Sequence, residues 1–270
     1  FDHLKGAVVS AILTVALLAV VLGIVSATPG YWWLWATVAI SLFQLVMVVL
    51  YPVVIAPLFN TFEPLKDESL AGKVDSMARR AGLNPKGIFE MDAARRSGHS
   101  NAYFTGLGKG KRVVLFDTLV SSHTHEEILG VLAHELGHFK LRHIGKSYIL
   151  GQIVLIAGFY ATYRMLNWDQ VPQAFGYDPA HSYVGLFVLA VFWKCASFFI
   201  RPVFTALSRR FERQADGYAA RLVGSAEPLI TALKRLARDN LSNLNPHPFY
   251  AWFHYSHPPL KERIKTLQAG

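Results

Sequence analysis

Charge is scarce in this chain: Asp, Glu, Lys and Arg make up 17% of its 270 residues, against about a quarter in ordinary soluble domains. With 52% hydrophobic residues and a mean hydropathy of +0.28, that shortage excludes disorder and argues against a purely soluble fold. Cysteine is nearly absent. The single thiol, Cys195, excludes a disulfide framework and a cysteine-ligated zinc cluster, and its position in an apolar block predicts an inert, buried side chain. Acidic residues are also in deficit, 18 against 27 Lys and Arg, which leaves a formal charge of +9. No nucleic-acid-binding motif accompanies that excess, so no nucleic-acid partner is expected. Membrane topology offers another use for Lys and Arg.

What the chain does contain is long uncharged runs. Gly6 to Thr28 gives 23 residues without a charge, and Tyr31 to Phe62 gives 32 more, broken by Pro52 and Pro57. Each is long enough to cross a hydrocarbon core of about 30 Å, which takes roughly 20 helical residues. The turn Thr28-Pro29-Gly30 makes them a hairpin, and Tyr31, Trp32, Trp33 and Trp35 cluster there, where aromatic rings favour the headgroup level. A third run spans Ser147 to Tyr163, and a fourth, from about His181 to Phe204, is interrupted by Lys194 and Arg201. Lys194 has two readings, snorkelling to an interface or lining a polar cavity. Lys5, Lys66, Lys73, Lys140, Arg142, Lys146, Arg209 and Arg210 flank the spans on one side, while the opposite connections carry only Arg164. The positive-inside rule therefore makes residues 63–146 and 205–270 cytoplasmic, between transmembrane hairpins at 1–62 and 147–204.

In the first cytoplasmic segment, Lys66 to Ala81 reads as a helix stopped by Gly82. Asn101–Thr105 and Arg112–Phe116 read as a β-hairpin about the glycine-rich turn 106–110. That turn matches no phosphate-loop pattern. Thr124 and Glu127 form a T-x-x-E capping box, and the apolar pattern continues through His134-Glu135-Leu136-Gly137-His138. On a helix, His134 and His138 share a face and can bind one Zn²⁺, while Glu135 can reach a water beside the metal without ligating it. A third ligand is required. Glu212, four residues before Asp216 on a helix following the fourth span, is the candidate, because a transmembrane hairpin returns the chain to the same membrane face. Asp216 would then accept the N–H of a ligating histidine.

Five segments in order resemble the integral-membrane zinc metalloproteases of the CAAX prenyl endoprotease family: Asn101–Gly106, Arg112–Thr118, His134–His138, Glu212–Asp216 and His257–Arg263. The resemblance implies one Zn²⁺ per chain on His134, His138 and Glu212, with Glu135 as the base. It implies that Asn101 and Ala102 lie on an edge strand to which a substrate peptide adds, and that His257 and Arg263 close the site. An oxyanion donor suits His257; Arg263 could hold Glu212 or a substrate carboxylate. The implied substrate is the C-terminal tripeptide of isoprenylated CAAX proteins, in the endoplasmic reticulum or a bacterial inner membrane. Family members resemble seven-span proteins, so four spans starting at Phe1 suggest an N-terminally truncated form.

The expected fold is mostly α: a polytopic transmembrane helical protein with a cytoplasm-facing, gluzincin-like zinc protease domain containing a small sheet. Its partners would be a peptide or prenylated protein C-terminus and the lipid bilayer. Two alternatives remain at this level, a membrane quality-control zinc protease and a non-catalytic zinc-binding scaffold. Glu135 argues against the scaffold, since metal storage has no use for a base beside an open position.

Overall fold

Long apolar runs become helices and the polar segments between them supply a small sheet. The computed structural model describes residues 2–95, 100–106, 111–178 and 182–269. Among the described residues the helices are, in chain order, α1 (Asp2–Ala27), α2 (Trp32–Leu50), α3 (Ala56–Phe59), α4 (Glu68–Arg80), α5 (Asp117–Ser122), α6 (His125–Lys140), α7 (His143–Leu166), α8 (Gln170–Phe175), α9 (Ser182–Val223), α10 (Glu227–Asp239), α11 (Pro248–His254) and α12 (Leu260–Ala269). The strands are β1 (Phe62–Pro64), β2 (Ile88–Met91), β3 (Ala102–Thr105) and β4 (Arg112–Phe116). The chain separates into two compact units, Phe1–Tyr51 with Gly145–Ile200 and Pro52–Ile144 with Arg201–Gly270.

The first unit is built from helices long and apolar enough to cross a membrane. Four such helices occur among the described residues, Asp2–Ala27, Trp32–Phe59, His143–Leu166 and Tyr183–Val223. Their side chains are largely exposed because hydrocarbon, not protein, is their solvent, and the contacts between them combine a small apolar cluster around Val25 and Ala36 with aromatic and polar pairs. Trp32 packs on Phe159 with ring centroids 5.8 Å apart, and Trp33 meets Tyr160 edge-on at 5.1 Å. The Ser41 hydroxyl donates to Gln152 Oε1 at 2.6 Å, Gln152 Nε2 donates to Gln44 Oε1 at 2.8 Å, and Trp193 Nε1 donates to Thr162 Oγ1 at 2.9 Å.

At the turn between the first two spans, Trp32 is buried among the helices against Phe159. Three expectations need correcting here. Cys195 is exposed on its span, since an apolar helix in lipid has no requirement to turn each small residue toward protein. The second run is not broken at Pro52. It widens to a π-helix over Tyr51–Ile55 and resumes as α3, which absorbs the lost i→i−4 bond. Finally, the site-bearing stretch around Glu212 is not a separate helix: α9 runs unbroken for 42 residues through Pro202. At 1.5 Å per residue that is about 60 Å, roughly twice the hydrocarbon thickness, so one helix both spans and projects. The start of the fourth run at His181 and turn residues 107–110 lie outside the described residues.

The second unit centres on α6. Its capping box is present, Thr124 Oγ1 accepting from Glu127 N–H and Glu127 reaching back to Thr124 N–H. Ile128, Leu132 and Leu136 are fully buried in a core with Leu70, Val74, Leu115, Leu119 and Ile230. Gly130 has no Cβ where one would meet the Leu229 backbone at 2.8 Å, which lets α10 lie against α6. The sheet runs β1-β2-β4-β3, with β2 and β4 parallel and the other pairs antiparallel. The expected hairpin is its β3–β4 half, and β3 is an edge strand packed against α6. Helix α4 starts at the Asp67 cap, whose carboxylate accepts from Leu70 N–H, and stops at Gly82, in the left-handed region at φ 69°. Loops at the end of the unit are pinned by buried Arg209, which donates to the carbonyls of Trp252 and Tyr255 at 3.0 and 2.7 Å.

Candidate metal centre

Two helices supply the centre, and one glycine sets their separation. On α6, Gly137 lies one residue before His138 and faces α9; a Cβ there would stand 2.9 Å from Ala215 Cα and 3.1 Å from Ala215 O. Ala215 and Ala219 are the small residues on the facing side of α9, so the two backbones approach closely. The residues beside this contact are therefore brought into register: His134 and His138 from α6, Glu212 and Asp216 from α9.

The three presumptive ligand residues form a tight triangle. His134 Nε2 and His138 Nε2 are 3.1 Å apart, Glu212 Oε1 lies 3.2 Å from His138 Nε2, and Glu212 Oε2 lies 3.3 Å from His134 Nε2. Four ligands about 2.0–2.1 Å from a tetrahedral ion sit about 3.3 Å from one another, close to these separations. Glu212 is 4% exposed, and its Oε2 has no well-aligned hydrogen bond even though His257 Nδ1 is only 2.7 Å away. A buried carboxylate oxygen whose neighbouring nitrogens are poorly aligned as donors is what a cation would complete. Charge points the same way. Glu135, Glu212 and Asp216 face the Arg263 guanidinium, so with the carboxylates ionised and the imidazoles neutral, as ligation requires, the cluster carries two uncompensated negative charges, which one divalent ion would neutralise.

Around the triangle the partners are fixed. His134 Nδ1 is 2.8 Å from Asp216 Oδ1, and Asp216 in turn accepts from Arg263 Nη2 at 2.6 Å and Nε at 2.8 Å. Arg263 thus holds Asp216 in a two-pronged pair, not Glu212. Breaking a buried pair of this kind by removing one partner typically costs about 3–5 kcal/mol. Burial by itself would lower the His134 pKa, but its hydrogen bonds to Asp216 and Glu212 outweigh that and hold the imidazole up to about 9. Burial pushes Glu135 up, against the opposing fields of His134 and His138, and leaves it half-buried beside the triangle. His257 touches Glu212 while its own side chain stays 61% exposed. Asn101 is apart from this cluster: its side chain accepts from Ala102 N–H at 2.8 Å and its carbonyl from Phe116 N–H at 3.0 Å, closing the start of β3, with Ala102 buried opposite Leu115.

Residues 64–270 match the family model "Peptidase family M48". The chain belongs to that family. Residues 1–61 match a second model, "CAAX prenyl protease N-terminal, five membrane helices". Similar curated proteins include the CAAX prenyl protease 1 homolog of Arabidopsis thaliana, 38% identical over 98% of this chain and 63% of its own length. Another is CAAX prenyl protease 1 of Saccharomyces cerevisiae, 39% identical over 83% of this chain and 53% of its own. The crystal structure of S. mikatae Ste24p superposes with a TM-score of 0.91 at 33% identity, covering 98% of this chain and 65% of that one. The chain thus spans about two thirds or less of the length of these relatives. M48 membership implies a metal ion, and the His134–His138–Glu212 triangle is where this chain's residues fit one.

Three contributors were not foreseen from sequence: Gly137, His143 and Gln214. The glycine is the variable position of H-E-x-x-H and carries no chemistry of its own; His143 lies beyond the end of α6; Gln214 is uncharged between two acids. A histidine five residues after His138 was the one available signal.

Two outcomes follow. Gly137→Ala drives a methyl into backbone rather than into a flexible side chain. It should cost about 1–3 kcal/mol and weaken divalent-metal binding more than about tenfold, whereas Gly151→Ala, with nothing within 4 Å, should change neither. Thermal unfolding and metal titration in detergent check both. The second concerns pH. An imidazole held near 9 is protonated at neutral pH and must lose that proton to ligate, so protons increasingly compete with the metal as pH falls. Apparent affinity should drop by roughly tenfold per pH unit below about 9, with proton release on metal addition in weakly buffered solution; pH-independent binding between 6 and 8 would contradict it.

Proposed function

We propose that this chain carries the centre of a membrane zinc metalloendopeptidase that removes the C-terminal tripeptide of isoprenylated CAAX proteins. The observation that carries the reading is the buried triangle of His134, His138 and Glu212 beside the half-buried Glu135. Zinc held there would supply Lewis acidity to polarise the scissile carbonyl and lower the pKa of water toward about 7. Glu135 takes a proton from the attacking water as the new C–O bond forms and returns it to the amine as the C–N bond breaks. Asp216, gripped by Arg263, orients His134. His257 lies beside Glu212 with its side chain exposed, and we assign its imidazole N–H to the oxyanion of the tetrahedral intermediate. The substrate strand adds to the outer edge of β3 at Asn101 and Ala102, gaining main-chain hydrogen bonds that do not depend on its sequence. Selection must then come from the substrate's terminus and lipid. The names of the relatives support the prenylated class.

The positive flanks of the spans support a centre on the cytoplasmic side, in the endoplasmic reticulum or a bacterial inner membrane, with segments 63–146 and 205–270 inside and the hairpins 1–62 and 147–204 in the bilayer.

The deciding measurement is mass spectrometry of products from a farnesylated CAAX peptide and its unprenylated counterpart, incubated with the intact protein. Release of the tripeptide from the farnesylated form is expected, with Glu135→Gln retaining about one zinc per chain while turnover falls by about 10² to 10⁴. Equal cleavage of the unprenylated peptide would overturn the substrate assignment, and loss of zinc in the variant would make Glu135 a ligand. Sidedness is tested separately. Single cysteines at the exposed positions Ser121, Ser225 and Gln173, in a Cys195→Ala background, are treated with a membrane-impermeant thiol reagent on intact cells. Gln173 should react directly and the other two only after permeabilisation; external labelling of Ser121 or Ser225 would reverse the orientation.

A further inference from the structure

His134 and His138 are supported unequally. His134 leans on a carboxylate, while the Nδ1 of His138 lies 3.1 Å from the Nδ1 of His143, whose Nε2 is 3.0 Å from Gln214 Oε1. An amide oxygen only accepts, so His143 Nε2 carries the hydrogen. A neutral imidazole has one N–H, so His143 Nδ1 must be the acceptor and His138 Nδ1 the donor. His138 Nε2 is then left with its lone pair directed at the point shared with His134 Nε2 and Glu212 Oε1. Reversing the amide would reverse every step and put a hydrogen on the nitrogen that has to ligate.

We propose that His143 and Gln214 form a hydrogen-bond relay that fixes the metal-binding tautomer of His138, with His143 as a positioning residue. The inference deepens the zinc reading above and rests on it. The site is built rather than incidental. His143 is 2% exposed and its ring stacks on Phe211 at 4.2 Å with the planes 8° apart. It reaches that place because α6 stops at Lys140 and Arg142 takes the left-handed conformation at φ 55°, folding the first residue of α7 back beneath His138. A non-glycine residue in that region is strained, and the surrounding contacts must offset the strain. Helix α9 supplies the other end: Phe211 for the stack, Glu212 for the ligand, Gln214 for the relay and Asp216 for the other imidazole. One face and its shoulder thus orient both histidines, one through a charged acceptor and one through a neutral one.

The experiment measures zinc dissociation constants of the intact protein in detergent by chelator competition, together with the visible spectrum of the cobalt(II)-substituted form and the unfolding temperature of the metal-free form. His143→Phe keeps a ring on Phe211 but removes the acceptor, and Gln214→Leu removes the relay's end. Both should weaken zinc binding by about 10- to 100-fold and alter the cobalt bands, with little change in metal-free stability. His143→Gln, whose amide oxygen can accept from His138, should recover part of the loss, and Gln214→Glu should bind zinc at least as tightly as the parent. Zinc binding by His143→Phe and Gln214→Leu within twofold of the parent would overturn the relay. So would a His143→Gln variant as weak as His143→Phe, with both destabilised in the metal-free form, since that pattern means packing alone. A parent protein that binds zinc no better than Glu212→Ala would overturn the proposed centre and the relay with it.

Discussion

The close approach of α6 to α9 at Gly137 and Ala215 is the contact on which the rest of the centre depends. Each helix by itself presents an ordinary face: two imidazoles four residues apart on one, two carboxylates four residues apart on the other. Only when the backbones meet with no Cβ between them do His134, His138 and Glu212 come within 3.1 to 3.3 Å of one another. The same contact aligns Asp216 with His134 and Gln214 with His143. Small residues at such a seam are a packing requirement rather than a chemical one, because ligand distances set to tenths of an ångström tolerate no added methyl.

Electrostatics then explains why the cluster is arranged in layers. Three carboxylates close to one another would protonate or separate unless compensated, and the structure compensates Asp216 with Arg263 while Glu212 closes the triangle with His134 and His138 and Glu135 stands beside it. Arg263 comes from α12, nearly fifty residues beyond Asp216 in sequence, so the C-terminal helix contributes charge balance where α6 and α9 contribute the corners of the triangle. His257, on a loop before α12, is the exposed member of the group.

The membrane part obeys a different solvent. Its helices expose apolar side chains freely and associate through a small apolar cluster together with Trp, Ser, Gln and Thr contacts. Helix α9 combines both compositions, apolar over its first part and charged beyond Arg209, so the helix long and apolar enough to cross a membrane also carries Glu212.

Periodicity, capping and uncharged length are local properties, and they were sufficient to read the four spans, the capped α6, the β3–β4 hairpin and the facing of His134 with His138. Glu212 was legible because two spans returning the chain to one side leave few acidic residues that could meet H-E-x-x-H. What sequence could not decide depended on distant partners. Nothing in the spacing of residue types pairs Trp32 with Phe159, and Cys195 reads as buried until its exposure on the helix is seen. Arg263 has several carboxylates to choose from, and only packing selects Asp216. The spacing of His143 after His138 does not say that it meets Gln214: a left-handed turn at Arg142 and the close seam at Gly137 bring them together, and neither a single φ angle nor a helix separation is written in the spacing of residue types.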